Sequence, residues 1–496
     1  MSKLMKKKGL RTFLIIVLVI IAFVLFFKLK GTSASDNSDK YAGVDFASMS
    51  NEYQRSGQYS DYVANRSEAN TPMDAEHKVD IFDYDKEKSK DVSVRDDVGP
   101  ESDKAKAVQI KEGGAAVYNV KVDKAGYYNL RVVYYPSSGE EDDRGIAIET
   151  KVELYNKKTN QFEPPFNGAE GIDFGRVYTN EGKPTKDNQG NEIRPSQIED
   201  PTREWIESYF EDATGYEMEP YYFYFEEGEN TIRLTGVNEK LIMKEFAIVN
   251  KPKVPSYEEY ANENKGKTNN VKAGYVKKIQ GEKSDRRSSP SLYATYDRTS
   301  GDTEYEDENG DITQHNTEHQ VLDVIGGTQW KVAGDWIEWS TEVEEEGDYV
   351  IGIKGRQGYN RGYIANRSLL IDGKVPFQEV SQIQFTYSNT WQMLCLQNEK
   401  GEAYKFHLTA GKHKIRMKIT LGKLGEYLSQ LSESVYRMNQ YYRQILVLTG
   451  TEPDEFRDYQ IEKVYPAIIE AMDEESKRLY KLVDDVAAYT GEKGGE

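Results

Sequence analysis

Short apolar runs that alternate with polar residues dominate the chain beyond residue 59. Runs such as those at 128–135, 350–353 and 415–419 are bounded by Gly, Asn and Asp. Runs of this length between turn residues are typical of β-strands. Many short strands with few helices predict a mainly β protein built of antiparallel β-sandwiches.

Two segments near the carboxyl end follow a helical period instead. Apolar residues at helical spacing over 424–442 predict a helix inserted before a last apolar strand at 444–448. A second amphipathic segment starts at Ile461, and Pro466 is expected near its first turn or at a kink. The sequence therefore predicts a helical insertion at 424–442 and a helical carboxyl-terminal segment at 456–496.

An aromatic motif recurs at the scale of a whole domain. Two aromatic residues three positions apart occur at Tyr59–Tyr62, Tyr257–Tyr260 and Phe456–Tyr459, at intervals of 198 and 199 residues. An interval of this length is too long for a solenoid repeat and matches an average domain. We therefore predict two copies of one module, at 59–256 and 257–455.

Further landmarks recur in the same order within each interval. Each interval contains a Pro-Phe pair, ending in Phe166 and Phe377, and a glycine turn that opens a strand at Gly228 and Gly411. Each is also expected to close on an apolar strand, at 241–248 in the first module and at 444–448 in the second. The common order supports a duplication.

The amino terminus predicts export. Five basic residues precede an uncharged run from Thr12 to Phe27, and Lys28 and Lys30 follow it. The pattern predicts either a transmembrane signal anchor over residues 1–30 that is retained or a signal peptide cleaved near Thr32-Ser33-Ala34. Residues 31–58, rich in Ser, Asp, Asn and Gly, are expected to be a flexible linker. The predicted location is the cell membrane, crossed once, with most of the chain extracellular.

Composition narrows the range of partners. The net charge is −19 at pH 7, which disfavours nucleic acid and anionic lipid surfaces as ligands. Cys395 is the sole cysteine, so the chain cannot form an internal disulfide. An acidic loop from Gly139 to Arg144 is expected to be a solvated charge run rather than a calcium loop.

The residues of the second module resemble a known family. Gln280-Gly281-Glu282, Arg287-Ser288-Ser289-Pro290, the strand 334–339, the hairpin at Asp372-Gly373 and Pro376-Phe377 resemble the galactose-binding-like (jelly-roll) modules of carbohydrate-binding families 6 and 35. The chain also resembles the paired sandwiches in the amino-terminal region of large Gram-positive extracellular solute-binding proteins of sugar ABC transporters. The resemblance is weaker in the first module, where a long polar excursion fills 156–220.

The resemblance implies an oligosaccharide or polysaccharide ligand and an ABC transporter or solute-binding domain as partner. It also implies that Glu282 matches a position that often ligates a structural calcium ion.

The candidate carbohydrate site lies in the second module. Sugars need an exposed aromatic ring beside planar hydrogen-bonding groups. The residues that could provide them are Trp330, Arg356, Gln357, Tyr359, Asn360, Arg361 and Trp391. Trp336 and Trp339, on an apolar strand, are instead expected to be core residues.

No nucleophile elbow, phosphate-binding loop or dinucleotide fingerprint occurs in the sequence, and we expect no enzyme activity. Two functions remain open. The chain is either a membrane-anchored extracellular carbohydrate-binding protein or a structural docking protein whose carboxyl-terminal helices recruit a partner. Exposure of Tyr359 and Trp330 beside Arg356 would favour the first.

Overall fold

The computed structural model describes residues 57–66, 75–139, 143–300, 304–306, 312–314, 318–359 and 361–491. Within these ranges, residues 57–434 together with 479–491 form one compact unit, and residues 435–478 form another. The predicted membrane anchor and most of the predicted linker lie outside the described residues. No helix among the described residues is both long and apolar enough to cross a membrane.

The first β module begins with a short helix, α1 (Tyr59–Ala64), and continues as antiparallel strands. These are β1 (Glu76–Val79), β2 (Lys90–Val98), β3 (Ala105–Val122), β4 (Gly126–Tyr134), β5 (Ile148–Asn156), β6 (Gln161–Glu163), β7 (Ile172–Phe174), β8 (Tyr178–Asn180), β9 (Thr185–Lys186), β10 (Glu192–Ile193), β11 (Gln197–Glu199), β12 (Ile206–Tyr209), β13 (Phe223–Phe225), β14 (Gly228–Asn238) and β15 (Leu241–Val249).

The sheet of the first module curls around an aromatic core. Its strand order is β12-β4-β15-β3-β14-β5-β6, with β1, β2, β7 and β13 attached to its members. The long strand β3 pairs with β14 along its second half and with β15 and β2 along its first half, so it passes from one layer to the other. Alternate residues point inward and bury Tyr118, Phe174 and Phe223.

The second β module begins with helix α2 (Tyr257–Asn264). Its strands are β16 (Arg286–Arg287), β17 (Ala294–Thr295), β18 (Glu304–Glu306), β19 (Ile312–Gln314), β20 (Val324–Ile325), β21 (Trp336–Val343), β22 (Gly347–Tyr349), β23 (Gly352–Gly355), β24 (Ala365–Ile371), β25 (Ile383–Phe385), β26 (Gln392–Cys395), β27 (Phe406–Leu408) and β28 (Gly411–Thr420). Its main sheet and its β22-β27 and β23-β26 pairs are antiparallel.

The polar excursion of the first module extends the main sheet of the second. That sheet has the order β11-β8-β16-β21-β28-β24-β25, in which β8 and β11 come from the excursion. Tyr178 of β8 pairs with Arg287 of β16, and the Thr179 hydroxyl donates to the Asp285 carbonyl at 2.9 Å. The two modules are therefore joined by shared sheet as well as by sequence.

Arg287 fastens this junction from within. Its side chain is 1% exposed, and Nη1 donates to Gln197 Oε1 at 2.7 Å and to the Leu292 carbonyl at 2.9 Å. Nη2 donates to the Ser284 carbonyl at 3.1 Å. Burial lowers the pKa of Arg287 to about 10, against the opposing effect of Asp285.

Replacing Arg287 by methionine should therefore destabilise the compact unit by about 2–4 kcal/mol, because several buried acceptors lose a charged donor. Urea unfolding of the full chain would measure the loss. Gln197→Ala, which removes one of these bonds, should cost about 1 kcal/mol. An Arg287→Met variant within about 0.5 kcal/mol of the parent would show that the guanidinium does not hold the modules together.

The repeated aromatic motif performs the same task in both modules. In α1, the hydroxyls of Tyr59 and Tyr62 accept the backbone N–H groups of Tyr222 and Tyr224 at 2.9 and 2.6 Å. Both rings pack on Phe166. The helix thus clasps the strand β13 to the core.

The second clasp matches the first contact by contact. In α2, the hydroxyls of Tyr257 and Tyr260 accept the N–H groups of Lys405 and His407 at 3.0 and 2.9 Å. Both rings pack on Phe377, with centroids 4.9 and 5.1 Å away. These matching contacts are the structural counterpart of the sequence repeat.

The third copy of the motif forms no such clasp. Phe456 is 97% exposed, and the Tyr459 hydroxyl accepts the nearby N–H of Asp454 at 2.8 Å. The motif therefore predicts a clasp only where a Pro-Phe pair and a strand are present to receive it.

The helices at the carboxyl end are α3 (Lys423–Thr449), α4 (Ile461–Val464) and α5 (Pro466–Thr490). Helix α3 covers the predicted helix, and Pro466 is the first residue of α5, as expected for a proline in a first turn. The predicted strand at 444–448 is wrong, because these residues continue α3. Ile445 belongs to a buried cluster with Ile461 and Ile468, and its spacing from Tyr441 and Leu448 is helical.

The second module consequently differs from the first at one edge. In its described part, β23 pairs with β26, and no strand takes the position beside β23 that β15 takes beside β4. Val350, just before β23, is 53% exposed.

The hairpin turn that follows β24 carries an ion pair between the half-exposed carboxylate of Asp372 and the buried imidazole of His413 on β28. Asp372 has a positive φ of 51° and Gly373 one of 81°, as a tight turn requires. The two nitrogens of His413 contact Asp372 Oδ2 at 2.7 Å and the Thr409 carbonyl at 2.8 Å. Both partners are acceptors, so they favour the doubly protonated imidazolium.

The stability of this hairpin should depend on pH. Burial lowers the pKa of His413, but the Thr409 carbonyl and the Asp372 carboxylate outweigh it and raise the pKa above 6.5. A raised folded-state pKa contributes stability that is complete below the unfolded value and is lost as the pH rises through the folded value.

We therefore expect the stability difference between the parent and His413→Gln to be largest near pH 5 and to shrink towards pH 9, as measured by urea unfolding at each pH. Asp372→Asn, which keeps a residue tolerant of positive φ, should weaken the same pH dependence. A difference that is constant over this range would contradict the ion pair.

Candidate functional site

Arg356, Gln357 and Trp391 lie at one end of the second module, where two antiparallel strands meet their loops. Gly355 of β23 lies opposite Gln392 of β26, so the next residues outward, Arg356 and Trp391, are neighbours. The two loops are also tied by a bridge between Gln357 and Tyr387 and by the Ser388 N–H, which donates to the Gln357 carbonyl at 2.8 Å.

Trp391 is held in place by a network that the sequence did not reveal. The Arg356 guanidinium lies over its ring, 5.1 Å from the centroid. The Trp391 Nε1–H donates to Thr299 Oγ1 at 3.3 Å, and Arg356 Nη1 donates to the same oxygen at 2.8 Å. Arg356 also forms an ion pair with Asp297. The half-buried indole is therefore fixed in orientation before any ligand arrives.

Two carboxyl groups support this network. Burial raises the pKa of Asp297, but the Thr299 hydroxyl and amide together with Arg356 outweigh it and keep the pKa below its usual value. Burial raises the pKa of Asp323, whose carboxylate accepts the Ser300 hydroxyl and the Asp297 N–H. Both groups thus already have partners within the loop 297–300.

Tyr359 meets the exposure expected of a ligand platform. It is 60% exposed, and a Cβ placed on Gly327 would lie 3.6 Å from its hydroxyl oxygen, so two loops adjoin there. Tyr363 is 46% exposed, and its carbonyl accepts the Gln357 side chain at 2.9 Å. Arg361 is exposed and has no ion-pair partner among the described residues. Asn360 lies outside the described residues.

Trp330 differs from the prediction. It is half-buried and packs against the core, with the Arg367 guanidinium 4.3 Å from its ring centroid and its Nε1–H donating to the Asp335 carbonyl at 3.2 Å. Burial lowers the pKa of Arg367 to about 10. Because Arg367 covers one face, Trp330 serves the packing beneath the loops rather than an open platform.

The two tryptophans that were expected in the core, Trp336 and Trp339, differ in burial. Trp339 is 9% exposed, and its Nε1–H donates to the Gly281 carbonyl at 2.8 Å, as a core residue would. Trp336 is half-buried, and Arg416 lies 3.8 Å from its ring centroid. Trp336 is therefore not a core residue, because its side of the sheet faces the other module.

The sequence resemblance implied a calcium ion at Glu282. Among the described residues, no three His, Cys, Asp or Glu side chains are grouped closely enough to hold a metal ion. Glu282 therefore belongs to no such group there, and we derive no role for calcium. In the acidic loop of the first module, Asp143 pairs with Lys240 at 2.9 Å, while residues 140–142 lie outside the described part.

In the described part of the first module, Trp205 precedes β12 as Trp391 precedes β26. Tyr135 follows β4 as Arg356 follows β23, and it packs on Trp205 at 5.4 Å. The nearby loop is filled by Arg176, which is 5% exposed and donates to the carbonyls of Ser137 and Ile146. Arg176 thus fixes this loop of the first module through internal hydrogen bonds.

No protein-family model matches the chain, and no curated protein matches it. Among solved structures, it is similar to a family 35 carbohydrate-binding module from Clostridium thermocellum, with 12% identity over 36% of this chain and 99% of that chain and a TM-score of 0.22. It is similar to the C-terminal family 6 module of a marine laminarinase from Zobellia galactanivorans, with 12% identity over 36% and 100% and a TM-score of 0.19.

An exo-β-1,3-galactanase from Phanerochaete chrysosporium is also similar, with 11% identity over 36% of this chain and 30% of that chain and a TM-score of 0.19. Identities and TM-scores this low assign the chain neither a family nor a ligand. Its function has to be inferred from its own side chains.

Proposed function

We propose that the protein is a non-catalytic carbohydrate-binding protein whose second β module holds an oligosaccharide against Trp391. The observation that supports this proposal most strongly is the fixed orientation of the Trp391 indole. Arg356 and Thr299 hold the indole, and Tyr359 is exposed on the neighbouring loop. Sugars offer flat C–H faces to aromatic rings and many hydroxyls to planar polar groups. The loop end of this module supplies both.

The fixed orientation of Trp391 favours binding because little side-chain entropy remains to be lost. Arg356 covers one face of the ring, so a sugar ring would stack on the other face. Tyr359 and Arg361 would then reach the hydroxyls of a neighbouring sugar unit. The ligand we propose for these loops is a neutral oligosaccharide.

The state of the two carboxyl groups near Trp391 supports binding without cleavage. A glycosidase needs one free carboxyl group to donate a proton and another to act as base or nucleophile. Here Asp297 holds Arg356, and Asp323 accepts the Ser300 hydroxyl. We assign both groups to shaping the loop.

We further propose that the protein acts at the outer face of the cell membrane, near a sugar ABC transporter. The basic residues around the apolar run from Thr12 to Phe27 support the membrane location. The sequence resemblance to transporter-associated sandwiches supports the transporter context.

A panel of neutral plant and host oligosaccharides, titrated into the full chain by calorimetry, tests this function. We expect saturable binding of at least one member and recovery of the sugar intact by chromatography. Shortened products would contradict the non-catalytic assignment. No binding across the panel would contradict carbohydrate binding and favour a docking role.

A further inference from the structure

A cavity of about 340 Å³ lies between the two β modules of the same compact unit. The first module contributes Pro136, Arg176, Val177 and most of the segment 199–207, and the second contributes Arg286, Trp336, the hairpin 372–374, Lys414 and Arg416. The volume falls at the lower end of the range of ligand pockets, which often lie between domains. None of the loops around Trp391 lines it.

Most charges in the cavity wall neutralise one another. Arg286 pairs with Asp200 and with Glu204, each at 2.7 Å, and Lys414 pairs with Glu204 at 3.2 Å. The hydrogen bond from Arg286 lowers the pKa of Glu204 to about 2. Arg416 pairs with Glu338 at 2.6 Å. These groups therefore have little charge left for a ligand.

Arg203 and Lys374 are the exceptions. Neither has a carboxylate partner in the part of the chain that the structure describes, and the two residues come from different modules. The Arg203 Nε atom is buried and makes no hydrogen bond there. A buried donor without an acceptor is costly, so an acceptor from a ligand would stabilise it. The cavity lining carries six Lys or Arg side chains and five Asp or Glu side chains, in a chain with a net charge of −19.

The walls of the cavity suit a sugar ring better than a small inorganic ion. Trp205 and Trp336 line it from opposite modules, and both are half-buried. Trp205 is fixed by its Nε1–H, which donates to the Asp103 carbonyl at 2.9 Å, and Trp336 by Arg416 over its ring. Glu207 also lines the cavity and offers acceptors for hydroxyl groups.

We propose that this cavity binds an acidic oligosaccharide, with a sugar carboxylate held by Arg203 and Lys374 and the ring between Trp205 and Trp336. A guanidinium donates two parallel hydrogen bonds to the oxygens of a carboxylate, and an ammonium adds a point charge. Such a site rests on the carbohydrate-binding function proposed above for its ligand class, yet it shares no residue with the Trp391 loops.

The test is calorimetric titration of the full chain with tetragalacturonate and with its methyl ester, which has the same rings without the charges. We expect tetragalacturonate to bind, the ester to bind at least tenfold more weakly, and the Arg203→Gln, Lys374→Gln double variant to lose at least tenfold in affinity. The charge-matched control, Lys183→Gln with Arg443→Gln, should bind as the parent does. Thermal denaturation would confirm that each variant folds.

Separate arms distinguish this site from the Trp391 site. Trp391→Ala should leave tetragalacturonate binding unchanged, whereas the double variant should leave neutral oligosaccharide binding unchanged. Absence of tetragalacturonate binding, equal binding of the ester, or an unaffected double variant would overturn the proposal. Displacement of tetragalacturonate by inorganic phosphate at equal concentration would also overturn it, because a simple anion site would then suffice.

Discussion

Replacing Phe377 by alanine is expected to destabilise the second β module by about 3–5 kcal/mol. The Phe377 side chain is fully buried, and the rings of Tyr257, Tyr260 and Tyr404 lie 4.9, 5.1 and 5.2 Å from its own. Its removal would leave a cavity and would free the helix α2 that clasps the module. Urea unfolding of the full chain, followed by near-ultraviolet circular dichroism, would measure the loss.

The duplication supplies the controls for this experiment. Phe166→Ala removes the equivalent ring of the first module and should cost a similar amount. Phe456→Ala removes an aromatic ring of the same motif that is 97% exposed, and it should change stability by less than about 0.5 kcal/mol. If Phe377→Ala were as neutral as Phe456→Ala, the clasp would not stabilise the fold.

Replacing Trp391 by alanine is expected to lower the affinity for a neutral oligosaccharide by about ten- to a hundredfold. A central aromatic residue in a binding site commonly contributes about 1.5–3 kcal/mol, which corresponds to that range. The loss should appear in affinity and not in folding, because the indole is half-buried at a loop end.

Two further variants separate the role of the ring from that of its support. Arg356→Lys keeps the charge but loses the planar group over Trp391, and we expect a smaller loss of affinity. Tyr155→Ala removes a tyrosine of the first module that is 38% exposed, and it should leave binding unchanged. An equal loss in both variants would show that the effect is not local to the loops.

The recurrence of Tyr59–Tyr62 and Tyr257–Tyr260 was visible in sequence because each pair is local and its aromatic spacing is fixed by one helical turn. The pattern at 444–448 was misinterpreted because a short apolar run fits either a strand or a buried helix. Ile445 in this run packs on Ile461 and Ile468, and this contact favours the helix. Because both partners lie beyond the run, the run alone could not show it.

The residues that hold Arg356 and Trp391 in place could not be predicted from the sequence. Arg356 and Trp391 could be named from residue type, but Asp297 and Thr299 lie 59 and 57 positions from Arg356 along the chain. Likewise, the polar excursion at 156–220 is not simply an open loop, because its strands β8 and β11 pair in the main sheet of the second module. Long-range pairing leaves little local signal.

The most direct test is a calorimetric titration of the full chain and of Trp391→Ala with the neutral oligosaccharide that binds best in the panel. We predict saturable binding to the parent and at least tenfold weaker binding to the variant, with both proteins equally folded. Binding that is unchanged in Trp391→Ala, or no binding of any oligosaccharide to the parent, would contradict a carbohydrate site at these loops.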